Sequence, residues 1–84
     1  MDANKIGEVR SYDEFSGRAY IQLFAVLKCG DTIHFLGHGS DFQQNVVLLQ
    51  IEDESIVQAN AGDLVAVRTS KIVKRGASVY LLAI

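Results

Sequence analysis

Leu27-Lys28-Cys29-Gly30-Asp31-Thr32-Ile33-His34-Phe35-Leu36-Gly37-His38-Gly39-Ser40-Asp41-Phe42 reads as a turn, a strand and a second turn. Gly takes positive φ at no steric cost and Asp bonds readily to its own backbone, so Gly30-Asp31 ends one strand and begins the next. Thr32 to Leu36 is β-branched and aromatic, with Ile33 and Phe35 on one face and His34 on the other. Gly37 to Asp41 then forms a second cluster of turn residues. This is the corner of a small all-β domain, and it names no function.

Outward from this corner the same grammar recurs. Residues 4 to 12 read as a first strand, but Ile6 and Val9 are three apart, so a bulge near Gly7 is expected. Tyr12 to Gly17 is a turn with Gly17 at positive φ. Arg18 to Leu27 is a second strand with Ala19, Ile21, Leu23 and Ala25 on one face. Phe24 and Val26 make its other face apolar near the end, which implies cover on both sides. Thr32 to Leu36 is the third strand, and Phe42 to Glu52 the fourth and longest. Within it Val46-Val47-Leu48-Leu49 fits a buried strand or a bulged one equally. Ser55 to Gly62 is too short for a stable helix and reads as a loop whose Ile56 and Ala59 plug one end of the domain. Leu64 to Thr69 is the fifth strand, with Val65, Val67 and Thr69 on one face, and Val79 to Ala83 the last.

Six strands and no long helix predict a six-stranded antiparallel β-barrel, which buries both halves and removes exposed edges. The spacing alone fits an SH3-like or OB-like barrel as well. The inward set is Ile21, Leu23, Ile33, Phe35, Val65 and Val67.

Residues 1–84 suit one domain. With 49% hydrophobic and 21% charged residues, the composition excludes a disordered chain. No apolar run approaches the ~18 residues of a membrane-spanning helix. The polar start Met1 to Lys5 is unlike a signal peptide, and the single Cys29 has no internal disulfide partner. A cytoplasmic location is the expectation. Net charge is −2. Residues 68–75 nevertheless hold four of the eight basic residues and no acid, leaving four basic against ten acidic residues elsewhere.

The pattern Leu27-Lys28-x-Gly30-Asp31-x-Ile33, continued by Val46 to Ile51 and by Ala59-x-Ala61-Gly62-Asp63-Leu64-Val65-Ala66-Val67, resembles domain II of elongation factor Tu and related translational GTPases. The resemblance covers roughly Ile6 to Leu82. It implies a six-stranded Greek-key barrel of the translation-factor domain II type, without its GTPase. It also implies a non-enzymatic accessory module in translation that contacts tRNA or the ribosome.

The residues add candidate sites. Charge, not a motif, singles out Arg68, Lys71, Lys74 and Arg75 as tentative nucleic-acid-binding residues. The competing reading is a solvated turn that keeps strands from pairing edge to edge. Tyr12, Phe15, Tyr20 and Phe24 are candidates for a base-stacking platform, or simply packing residues. Cys29, Asp31, His34 and His38 are ligand types, but their spacing matches no zinc motif, so no metal is expected. The phosphate-binding Gly-x-x-x-x-Gly-Lys-Ser/Thr loop is missing, so no nucleotide or other cofactor is expected either. The alternative function is a protein–protein adaptor that docks a larger partner through its acidic body or barrel edge, with no RNA role.

Overall fold

A computed structural model describes residues 4–82. They form ten strands and no helix: β1 (Asn4–Asp13), β2 (Arg18–Leu23), β3 (Leu27–Lys28), β4 (Thr32–Gly37), β5 (Ser40–Asn45), β6 (Leu49–Ile51), β7 (Glu54–Ser55), β8 (Gln58–Ala59), β9 (Leu64–Arg68) and β10 (Ser78–Leu82). Eight of them make one antiparallel sheet in the order β5-β4-β10-β1-β2-β9-β6-β7, while β3 and β8 pair as a separate ribbon. Ala83 lies outside the described residues.

Alternation puts the expected side chains inside. Ile21, Leu23, Ile33, Phe35, Val65 and Val67 are all buried, with Ile6, Val9, Leu27, Val46, Leu49 and Val79 in the same core. The bulge expected near Gly7 is present, as the β1–β10 register slips between Lys5 and Gly7. It brings both Ile6 and Val9 inward. A second slip, between Val9 and Ser11 on the β2 side, leaves Arg10 exposed and out of register. The 55–62 segment forms no helix: it carries β8 and ends in a turn, with Ala59 buried and Ile56 packed against the core.

The six-stranded closed barrel needs correction. The fold is all-β, but the terminal strands of the sheet, β5 and β7, do not pair with each other. The expected long fourth strand is broken at Val46. Its N–H donates to the Asp31 carbonyl and its carbonyl accepts from Gly30 N–H, each at 2.8 Å, so the first corner takes Val46 out of the ladder. Val47 then turns outward, 85% exposed, and Leu49 returns to the core. Between β5 and the end of β9 a side chain replaces strand pairing. Gln44 Nε2 donates to the Arg68 carbonyl and Gln44 Oε1 accepts from Ser70 N–H, both at 2.8 Å.

The second strand is also shorter than expected. Leu23 donates its N–H to the Asp63 carbonyl, and its own carbonyl accepts from Gly62 N–H. The strand stops there, and Phe24 and Val26 are exposed rather than covered on both sides. No helix among the described residues is long and apolar enough to cross a membrane.

Candidate functional site

One backbone device occurs three times. In Lys28-Cys29-Gly30-Asp31, Asn60-Ala61-Gly62-Asp63 and Lys74-Arg75-Gly76-Ala77, the fourth N–H donates to the first carbonyl at 3.1 Å. The third residue is a glycine with φ of 95°, 94° and 95° respectively. Positive φ at that position is what a type II turn requires, and glycine meets it without strain. Each corner then clamps one core residue through two main-chain bonds. The glycine N–H donates to that residue's carbonyl, and the fourth residue's carbonyl accepts its N–H. The clamped residues are Val46, Leu23 and Val9, with all six bonds at 2.8–2.9 Å.

The first two corners carry an extra bond. Asp31 Oδ2 accepts the N–H of Lys28 and Asp63 Oδ2 that of Asn60, each at 2.8 Å. The third corner has Ala77 in the equivalent place, and its first two residues, Lys74 and Arg75, are exposed cations. Sequence reading finds the two Gly-Asp corners. It reads the basic 68–75 stretch only as a nucleic-acid-binding set or a solvated turn, because the alanine hides the repeat.

The charge-based candidates lie at or after the end of β9, on the segment leading to β10. Arg68 is opposite Arg18 in the β2–β9 register. Lys71 Nζ stands 5.5 Å from the centroid of Phe42, whose ring stacks on Phe35. Lys74 and Arg75 open the third corner, against which the His38 ring packs: a Cβ on Gly76 would meet His38 Nε2 at 2.8 Å. Among the described residues none of these four cations forms an ion pair. Arg10, beside the clamped Val9, is a fifth cation at this end, exposed and without an ion pair among the described residues. The slip between Val9 and Ser11 leaves it without a partner in the β1–β2 register.

Most acids serve local turns. Asp31 and Asp63 cap their corners. Asp13 accepts from the Ser16 hydroxyl at 2.8 Å and from Phe15 N–H at 3.0 Å. Those two hydrogen bonds, the hydroxyl first, hold its carboxyl below the usual aspartate range. Glu52 and Asp53 form the two-residue tip between β6 and β7, both at positive φ, and Asp53 lies 3.7 Å from Arg18. The acidic body is therefore largely turn chemistry, distributed over the domain.

The aromatic candidates do not converge. Phe15 stands fully exposed at the β1–β2 tip and Phe24 follows the far end of β2. Six residues of strand separate them by ~20 Å. Tyr12 packs on the core. His34 faces outward as expected, with its Nε2 2.7 Å from Asp41 Oδ1. Cys29 is exposed, its sulfur 3.4 Å from the Ile56 carbonyl. Among the described residues no three His, Cys, Asp or Glu side chains are grouped as metal ligands.

No family model matches the chain. It is 34% identical over 79 residues to the uncharacterized protease MJ0090 of Methanocaldococcus jannaschii, a match that takes in 93% of this chain and 19% of that protein. The chain thus spans about a fifth of its curated relative's length. Two crystal structures of the C-terminal domain of a Geobacillus thermoleovorans putative U32 peptidase share its fold. One gives a TM-score of 0.88 at 20% identity, over 95% of this chain and 93% of that one. The selenomethionine variant gives 0.87 at 21%, over 92% and 98%.

These likenesses overturn the resemblance to domain II of elongation factor Tu, and with it the translation-factor reading that implied contacts with tRNA or the ribosome. They lend no support to the adaptor alternative either. The residues that suggested a translation factor were the two Gly-Asp corners. Their spacing encodes a capped type II turn that any β-domain can use. The fold of this chain is the one seen in the C-terminal domain of the Geobacillus thermoleovorans putative U32 peptidase.

Proposed function

We propose that this chain is a non-catalytic β-domain that accompanies the catalytic portion of a U32-type peptidase and contributes binding surface rather than reacting groups. The observation that carries this reading is the length relationship. Nearly the whole chain aligns with a fifth of a curated protease, and its fold covers nearly all of a domain cut from a peptidase C-terminus.

The test uses the M. jannaschii protease in three forms: intact, lacking the region that aligns with this chain, and with this chain grafted in its place. Peptide hydrolysis is followed in each. The expected result is that the truncated form keeps turnover but has a higher KM, and that the graft lowers KM again. This chain alone should hydrolyse nothing. Hydrolysis by the isolated chain, or identical kinetics in all three forms, overturns the proposal.

A further inference from the structure

We infer that the third corner, Lys74-Arg75-Gly76-Ala77, is a binding site for a single oxyanion, a carboxylate or a phosphate group. Three observations lead there. The first is the comparison among the corners. All three share the same turn bond, the same glycine conformation and the same clamp on a core residue. In two of them the N–H of the first residue is satisfied by an aspartate oxygen at 2.8 Å. In the third that N–H belongs to Lys74, and with alanine at 77 it meets no acceptor among the described residues. An oxyanion is the chemical species that the corner geometry places at this amide.

The second observation is charge. The capped corners carry their own carboxylates. The third carries Lys74 and Arg75, neither of them in an ion pair among the described residues. Arg10 is exposed next to Val9, the residue this corner clamps. A backbone N–H flanked by uncompensated cations binds oxyanions through charge-assisted hydrogen bonds.

The third observation is a contrast in exposure across the turn. Ala77 is fully buried while Lys74 and Arg75 are exposed, so the side of the corner that meets solvent is the one that carries the two cations. The site is local to one turn and does not depend on the peptidase reading.

The experiment is a titration of the 15N-labelled chain with sodium phosphate, and separately with sodium acetate, at ionic strength held constant with chloride. The Lys74 amide proton should move downfield and saturate. The amides of Lys28 and Asn60, already capped, should stay still and serve as internal controls. Saturation by both anions assigns a general oxyanion site, and saturation by one alone names the source. Arg75→Glu should weaken the response at least tenfold. Ala77→Asp supplies the missing carboxylate and should abolish it. If burial at that position prevents folding, the contrast among the three wild-type amides still decides. The inference is overturned if Lys74 responds to phosphate and acetate no more than to chloride, if all three amides move together, or if Arg75→Glu leaves the titration unchanged.

Discussion

Asp31 and Lys28 hold each other twice: the Asp31 carboxylate accepts the Lys28 N–H at 2.8 Å, and the Asp31 N–H returns to the Lys28 carbonyl at 3.1 Å. Asp31→Ala removes the first bond and leaves the second. A charge-assisted bond of this kind contributes about 1.5–3 kcal/mol, so the urea midpoint should fall, and fall alike for Asp63→Ala. If both variants unfold with the wild type, the caps are ornamental and the glycines alone shape the corners.

Gly30 and Gly7 should resist substitution for different reasons. A Cβ on Gly30 would touch nothing within 4 Å, but φ is 95°. The cost of Gly30→Ala is therefore backbone strain of about 1 kcal/mol, and Gly30→Asn should recover part of it. At Gly7 a Cβ would lie 2.7 Å from the Gln22 carbonyl oxygen and 2.8 Å from Ile21 Cγ2. Overpacking there should cost about 1–3 kcal/mol, with no rescue by Asn. Thermal melts of the four variants separate strain from collision.

Val46 and Val47 are neighbours with opposite fates. Val46→Asp places a charge in the core at a residue 1% exposed and should leave no cooperative unfolding transition. Val47→Asp, at 85% exposed, should stay within about 0.5 kcal/mol of wild type. Equal effects on circular-dichroism melts would mean that the chain does not leave the ladder at Val46.

Asp13 sets an acid limit on the β1–β2 turn. Its folded pKa is lowered by the Ser16 hydroxyl first and the Phe15 N–H second. A depressed carboxylate pKa contributes stability above the unfolded value, and that contribution is lost as pH falls through the folded one. The Phe15 and Ser16 amide resonances should therefore shift only below the ordinary aspartate range. Ser16→Ala should move that titration upward, and a variant that titrates with the wild type would remove the hydroxyl as the main cause.

Much of the fold is legible locally. Alternation identifies Ile21, Leu23, Ile33, Phe35, Val65 and Val67 as core, because a half-buried strand needs a period of two. Gly17, Gly30 and Gly62 announce positive φ because few other residues accept it. What failed to show was non-local. Nothing around Val46 says that a corner fifteen residues earlier takes both its backbone groups, so Phe42 to Glu52 reads as one strand. The same gap hides the third corner, where alanine stands for aspartate and the clamp on Val9 comes from the far end of the chain. Arg10 was missed because the clamp on Val9, and not a motif, brings it beside the third corner. The family was misread because capped type II turns report local geometry and carry no ancestry.

The sheet order has a consequence for assembly. β10 lies between β4 and β1, so the last strand to be made joins two parts completed earlier, β5-β4 on one side and β1-β2-β9-β6-β7 on the other. Asn4 pairs with Leu81 only once nearly the whole described chain exists. Pairings so distant in sequence are slow, with folding of such all-β domains on the order of milliseconds to seconds. During synthesis the inner edges of β1 and β4 wait together for one partner. The keystone of this sheet is its newest strand.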